Sequence, residues 1–394
     1  MTLKSCDILI SGAGIAGLVA AIGFADKGAK VILVDPAPPV TDRGHADADH
    51  RSTAFLQPAQ ALLEQIGAWR ALAPHAMPLQ VMRIVDATDD GAVTTAAEFD
   101  AAEISDLPFG WNIPNWQIRH GLMERLDALS NITFLPGLAV TSVLTREREA
   151  RVTLSDGQRL RTDLLIGADG RNSPVRQALA IPVTPTRFGQ KALAFAVTHP
   201  VPHDNVSTEI HRTGGPFTLV PLPDRDGTPS SAVVWMERGP EALRLSQLDT
   251  TAFEAEMTER SAHLFGPLTL ASPRALWPVI AQLAERFTSQ RTALIAEAAH
   301  VVPPIGAQGL NTSLADIESL LSLSDQGLGS RAMLDTYNAA RFGEARTRVL
   351  GVSALNRASM AGSPPARALR SEMLGLLHGI APLRRSLMKK GLGV

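Results

Sequence analysis

A β run, Cys6 to Ile10, leads into Gly12-Ala-Gly14-Ile-Ala-Gly17, and this junction constrains the chain more than any other feature. A small-residue helical stretch follows to about Lys27, and a second β run, Lys30 to Val34, closes on Asp35. Strand, glycine turn, helix, strand and acid together make the βαβ unit that binds a dinucleotide. Gly12 makes the tight turn, Gly14 lets the backbone approach a pyrophosphate, and Gly17 lets helix and strand pack closely. Asp35 is placed to accept hydrogen bonds from a ribose 2′-hydroxyl, which argues against a 2′-phosphate and leaves FAD and NAD both open.

The same region carries eighteen residues without a charge, Ile8 to Ala25, the length of a marginal membrane span. Asp7 opens the run, four glycines interrupt it, and no basic segment or small-residue cleavage site frames it. A strand, a turn and a helix are expected there, not a signal peptide or a spanning helix. The 394 residues suggest roughly two or three domains. A net charge of −2 offers no global basic field to nucleic acid. The single cysteine, Cys6, excludes an intrachain disulfide and fits a reducing, cytoplasmic setting. No metal-ligand spacing is present, and His199 and His203, in a proline-interrupted His-Pro-Val-Pro-His, read as a solvated loop.

Beyond Asp35 a polar loop, 36–50, reaches Arg51 and a helical stretch from Gln57 to Leu72. Arg51 is either an ordinary surface arginine or a charge-assisted contact to a cofactor phosphate. From Leu79 to Phe99 two β runs flank Asp-Asp-Gly, a hairpin signal. Gly110-Trp-Asn-Ile-Pro-Asn115 reads as a turn into a helix bearing Arg119, which is again a solvated residue or a cofactor contact. Residues 132–165 alternate as short strands and close on Gly167-Ala-Asp169-Gly170-Arg-Asn-Ser-Pro-Val-Arg176. A strand meeting Gly-x-Asp-Gly before a helix brings backbone and one carboxylate close to a ligand, with Gly170 supplying backbone freedom. The alternative for Asp169 is a plain turn or helix cap.

Further β runs at 191–198, 206–211, 216–221 and 231–237, with a helical piece at 251–264, form a long second visit to another domain. The expected fold is therefore α/β. A Rossmann-like dinucleotide domain (1–78, 106–182, 278–330) is interleaved with an antiparallel β-sheet substrate domain (79–105, 183–277), before a helical C-terminal region (331–394). Such a sheet is a natural cover for a small-molecule pocket. Arg291 to Asp316 reads as a buried strand, Thr292 to Ala296, a Pro/Gly-rich loop, and a helix from near Thr312 with Ser313 and Asp316 as its capping pair. That helix start points free N–H groups and a positive dipole end at the loop, which suits a cofactor that becomes anionic.

Taken together, the Gly12–Gly17 motif, the Gly167–Arg176 motif and the 291–316 stretch resemble the group A flavoprotein aromatic hydroxylases of the para-hydroxybenzoate hydroxylase type, over about residues 5 to 357. Within that family, Glu-Ala-Ala-His at 297–300, the run Pro303 to Asn311, Phe99 to Ile104 and Gly110 to Asn115 look like the branch that hydroxylates ubiquinone precursors. The resemblance implies FAD, bound along Gly12, Gly14, Gly17, Asp35, Arg51, Arg119, Asp169 and Gly170, with Glu297 and the Gly309, Leu310, Asn311 backbone at its flavin end. It departs in one place: the third motif of the family begins Gly-Asp, and this chain has Ala296 and Glu297. The implied chemistry is transfer of oxygen from a flavin C4a-hydroperoxide to a phenol ring, with Pro303, Pro304 and Gly306 shaping the flavin-facing loop. No catalytic base is identified. His300 is either a base or a structural hydrogen-bonding residue at the strand end. The reductant is NAD(P)H or a ferredoxin system.

From Pro364 on, Arg367, Arg370, Arg384, Arg385, Lys389 and Lys390 face a single acid, Glu372. Leu369, Met373, Leu376, Leu377 and Ile380 recur at helical spacing, with a break at Pro382. The tail either packs on the protein's own surface or touches anionic lipid or a ubiquinone-biosynthesis complex, which would place the enzyme peripherally on the inner face of a membrane. The expected activity is hydroxylation of a polyprenylated phenol with O2. Its rivals are a same-fold hydroxylase of a soluble aromatic compound and a flavin-poor accessory subunit.

Overall fold

The computed structural model describes residues 4–88, 91–212, 214–360, 372 and 374–392. The hairpin turn expected at Asp89 and Asp90, and the tail residues Arg367, Leu369, Arg370 and Met373, lie outside them. Strand Lys4–Ser11 is central in an eight-stranded sheet, parallel to Val31–Asp35 on one side and to Arg159–Gly167 on the other. Thr292–Leu294 then pairs in parallel with Arg159–Gly167, and Ile132–Pro136 with Val31–Asp35. Parallel strands are covered on both faces, so their residues are apolar throughout, and Ile8, Leu9, Ile10, Leu164, Leu165 and Ile166 are fully buried. Helix Ile15–Asp26 is buried from Ala16 to Ala25, its small residues allowing close approach to the sheet. The uncharged run at 8–25 is thus strand, turn and helix. Among the described residues no helix is long and apolar enough to cross a membrane.

A second sheet of nine strands runs from His300–Val301 through Ala275–Ala284, Val183–Thr198, Thr228–Arg238, Pro216–Arg225, Val206–His211 and Val81–Ala87 to Val93–Asp100. Its pairings are antiparallel except that of Val206–His211 with Val81–Ala87. Alternation gives this sheet two different faces. One carries Leu193, Phe195, Ile210, Phe217, Leu219, Val233 and Trp235 into a core closed by Leu245, Phe253 and Met257. These last three come from helices Gly239–Gln247 and Thr250–Arg260. The other face carries Ala192, Val234, Met236, Trp277 and Val279, which pack with Phe188 and with Ile305. Ile305 belongs to the Pro/Gly-rich loop, so this face looks onto the first sheet's end.

Three local expectations are corrected. Gly110–Pro114 is a strand, paired with Ser52–Leu56 and Met77–Leu79 in a small third sheet, where Trp111 meets Trp69 edge-on at 5.6 Å. Pro114 ends the strand and so removes no needed donor. His199 and His203 are buried, not solvated. The His199 ring lies between Ser231 Oγ (2.9 Å) and the Val201 carbonyl (2.7 Å) and packs on Phe265, partners that local composition does not reveal. The helix after the Pro/Gly loop spans Gln308–Leu323, one turn earlier than expected. Ser313 consequently lies inside it and donates to the Gly309 carbonyl, and Asp316 is fully buried instead of capping.

Helix Arg331–Met360 packs against helix Gln308–Leu323 and strands Ala275–Ala284 and Thr288–Ser289, and a last helix, Ala381–Leu392, follows. Its inner side packs Met388 against Ala97 and Phe99, and Arg384 forms a forked pair with Glu103 at 2.7 to 3.1 Å. At its end the Gly391 carbonyl accepts from Gln308 Nε2 at 3.3 Å. Its outer side leaves Leu383 and Leu387 exposed, and Leu376 and Ile380 before it are exposed too.

Candidate active site

The three motifs converge at the carboxyl ends of neighbouring parallel strands, where ligands bind in open α/β sheets. Gly12 follows Lys4–Ser11, Asp169 follows Arg159–Gly167, and Ala296 follows Thr292–Leu294. Gly12 has φ of +107°, and a Cβ there would stand 2.3 Å from the Ala168 carbonyl oxygen. A Cβ on Gly17 would stand 1.8 Å from the Gly12 carbonyl oxygen, so helix and strand touch there. Gly14 differs, because nothing lies within 4 Å of where its Cβ would be. That open space is on the side a pyrophosphate would approach. Asp35 sits at the tip of Val31–Asp35 and accepts from the Ala13 and Ala37 N–H groups at 2.6 and 2.8 Å.

Asp169 accepts from Val175 N at 3.0 Å and from Ser11 Oγ at 3.4 Å through Oδ2. Its Oδ1 is buried and has no hydrogen-bond partner among the described residues. Burial pushes its carboxyl above the usual range. Gly170 next to it has φ of +79° with open space beyond. In the third motif, Ala307 caps helix Gln308–Leu323 in the left-handed conformation, with no side-chain cap on the first N–H groups. Gly309 and Leu310 supply that first turn, and Pro303, Pro304 and Gly306 lie in the loop just before it. The Asn311 side chain is engaged elsewhere: it donates to the Ala54 carbonyl and accepts from Leu56 N, both at 2.8 Å, tying the helix start to Ser52–Leu56.

Arg51 and Arg119 meet at a residue that the sequence did not single out. Asp49 takes three bonds from Arg51, two from the guanidinium at 2.7 and 2.6 Å and one from its N–H at 3.2 Å, with one from Asn115 at 3.0 Å and one from Arg119 at 3.4 Å. Burial works to raise the Asp49 carboxyl, but Arg51, Asn115 and Arg119 outweigh it and hold the group below the usual range. The Arg51 guanidinium also lies 5.0 Å from the Trp277 ring, linking the small sheet to the second one. Glu297 is half-exposed, lies 3.7 Å from Arg171 Nε, and adds to the field that raises Arg51. Ala296 before it is buried at φ +55°, a conformation glycine adopts without cost.

His300 is buried and its Nε2 lies 2.7 Å from Asp316 Oδ2, and Asp316 Oδ1 accepts from Arg341 Nε at 2.9 Å. The imidazole is therefore a structural partner within an ion cluster. This trio fixes the flavin-loop helix against the last long helix, and sequence reading missed it by assigning Asp316 to a cap. The only signal available was His300 and Asp316 bracketing the loop.

Open space over Gly14, an unpartnered oxygen on Asp169 and a helix start facing the Pro/Gly loop fit a dinucleotide whose far end carries a flavin. The fold and this site define a flavin-dependent oxidoreductase of the two-sheet kind. The chain belongs to the FAD binding domain family, which matches residues 5–349, and it is an FAD-dependent monooxygenase. It is 31% identical to ubiquinone hydroxylase UbiL of Rhodospirillum rubrum over 99% of this chain and 90% of that protein. Over 100% of both chains it is 24% identical to the 3-demethoxyubiquinol 3-hydroxylase of Escherichia coli. Among solved structures, p-nitrophenol 4-monooxygenase PnpA from Pseudomonas putida superposes with a TM-score of 0.80, at 18% identity and 99% coverage of both chains, which speaks for the fold.

Proposed function

We propose that this monooxygenase hydroxylates the ring of a polyprenylated phenol in ubiquinone biosynthesis. Relatives named as ubiquinone hydroxylases over nearly the whole chain support this reading. The observation that carries it is the apolar face of Ala192, Val234, Met236, Trp277 and Val279 that meets Ile305 of the loop. FAD would be held by the Gly12–Gly17 turn, Asp35, Asp169 and Gly170, with Arg51 and Arg119 fixed alongside by Asp49. Bound there, it would supply the redox chemistry by which O2, with two electrons from NAD(P)H or a ferredoxin system, gives one oxygen atom to the ring and the other to water. The protein's own part is to orient and to exclude water. The free N–H groups of Gln308, Gly309 and Leu310 favour negative charge at the loop, and the apolar sheet face holds the ring over it.

The last helix extends the reading to a surface. Leu383 and Leu387 are exposed four residues apart on the last helix, and Leu376 and Ile380 are exposed just before it. Arg385, Lys389 and Lys390 are exposed beside them. This side suits an anionic bilayer, in which a polyprenyl chain would be dissolved. The enzyme then works in the cytoplasm, peripherally on the inner membrane face.

The deciding experiment supplies FAD-loaded protein with NAD(P)H, isotopically labelled O2 and either a prenylated phenol or its unprenylated parent. Incorporation of one labelled oxygen into the prenylated ring, with little into the parent, is expected. Equal or better turnover of the parent would overturn the prenylated-substrate reading in favour of a soluble aromatic compound. For the tail, Leu383→Asp with Leu387→Asp should abolish co-sedimentation with phosphatidylglycerol vesicles. Binding unchanged by this pair would remove the lipid contact.

A further inference from the structure

Strand Val206–His211 carries an ionisable pair outside the cofactor site. His211 Nε2 lies 2.8 Å from Glu209 Oε1, with side chains only 10% and 16% exposed. His211 Nδ1 is buried and has no hydrogen-bond partner among the described residues. Strand alternation fixes where the pair points. Ile210 faces Phe217 within the helix-covered core, so Glu209 and His211 project from the opposite face. Glu209 is opposite Thr218, Thr218 is opposite Val234, and Val234 packs into the cluster that holds Met236, Trp277 and Ile305. In the other direction Glu209 is opposite Ile84, which packs with Ala97, Phe99 and Met388. The pair is thus a polar island between two apolar clusters, on the face that the flavin loop touches.

An unpartnered buried acceptor in such a place is unfavourable until a hydroxyl donates to it. We propose that His211 is the base that takes the phenolic proton of the substrate, with Glu209 as its positioning residue. This rests on the phenol-hydroxylase reading given above. With a carboxylate at Nε2, the ring N–H sits on Nε2 and the lone pair on Nδ1. The substrate O–H bond breaks, the proton moves to Nδ1, and the bonding electron pair stays on oxygen as phenolate. Glu209 stabilises the imidazolium formed, and the phenolate oxygen raises electron density on the ring carbon to be hydroxylated. The apolar cluster of Ile84, Ala97, Phe99 and Met388 adjoins the pair on the side of the last helix.

Other titratable groups bear on the pair's field. Buried Asp86 is opposite His211 on Val81–Ala87, and His378 of the tail meets Phe99 edge-on at 5.7 Å. Strand Pro216–Arg225 places Pro216 opposite His211. Arg212 bonds Glu259 and Arg260 lies over Phe217, so both belong to the helix-covered side, as does Glu237 beside Trp235.

The test uses an ortho-prenylated 4-nitrophenol, whose phenolate absorbs visible light, bound to the oxidised FAD-loaded enzyme and titrated with acid and base. The bound probe should ionise about one pH unit or more below the free probe, a shift of tenfold or more in the ionisation constant. His211→Gln should abolish that lowering, and Glu209→Gln should diminish it. In turnover, His211→Gln should lower kcat most at acidic pH and leave KM nearly unchanged. A probe that binds with its ionisation unaltered, or that is lowered equally in His211→Gln, overturns the base assignment alone. A probe that the wild-type enzyme does not bind overturns the prenylated-phenol reading and the base together. If His211→Gln fails to retain FAD, the wild-type titration and Glu209→Gln decide the matter.

Discussion

At the Gly12–Gly17 turn and at the flavin-loop segment, the backbone makes the same kind of demand and the chain answers differently. A Cβ on Gly12 or Gly17 would stand 2.3 or 1.8 Å from a carbonyl oxygen, so only glycine is possible. In the 291–316 segment, Arg291, Ala296 and Ala307 hold φ of 57°, 55° and 56° with side chains in place. The first constraint is steric and absolute. The second is a torsional preference of about 1–2 kcal/mol per residue, which packing elsewhere can offset. The buried His300–Asp316–Arg341 trio and the Asn311 bridge to Ser52–Leu56 are the contacts in position to offset it.

Removing that offset should have the largest effect. Asp316→Ala removes the one fully buried carboxylate shared by His300 and Arg341 and leaves Arg341 only the part-exposed Glu344, so a loss of about 3 kcal/mol is expected in chemical denaturation. A loss below about 1 kcal/mol would show that something else holds the loop. Gly17→Ala comes next, with about 1–3 kcal/mol lost from overpacking and flavin absorbance lost on desalting. Gly14→Ala sharpens the contrast: the open space there predicts an unchanged apo melting temperature with weakened FAD retention. A drop in apo stability equal to that of Gly17→Ala would erase the distinction.

Smaller effects test the torsional side. Ala296→Gly relieves the left-handed strain and gives back part of the gain as chain entropy, for a net stabilisation of about 0.5–1 kcal/mol. Destabilisation would mean that the Ala296 methyl packs better than its backbone suffers. Asp169 gives the smallest effect, and its sign follows from burial. Its folded-state pKa is raised, so its contribution to apo stability is fully present below the unfolded carboxylate range and is lost as pH rises through the folded value. Asp169→Asn should therefore raise the apo melting temperature near neutral pH, and the gain should vanish under acid. A gain independent of pH would locate the effect in packing instead.

The βαβ unit, the second sheet's runs and the long late helix were legible because period, glycine spacing and turn residues are local signals. The site's deeper supports were not. Asp49 sits in a loop with no periodic pattern and gains its role from Arg51, Asn115 and Arg119, the last two brought from far along the chain. Asp316 matched a local capping pattern with Ser313, yet a buried arginine from the last long helix claims it. His199 looked solvated beside two prolines because its partner Ser231 lies on another strand. In each case the deciding contact is long-range and polar, and hydropathy patterning does not register such contacts.

The central position of Lys4–Ser11 also sets an order of events during synthesis. Within this sheet it is the earliest strand in chain order, yet its neighbour on one side is built from residues 159–167, and the next strand out, 292–294, comes later still. Until then one edge of the nascent sheet presents unpaired N–H and C=O groups and apolar side chains to the cell. The three motifs therefore come together only once residues 292–316 have been made, and folding is governed by distant pairings that are slow to form. Chaperone demand should follow the delay between the first strand and the last.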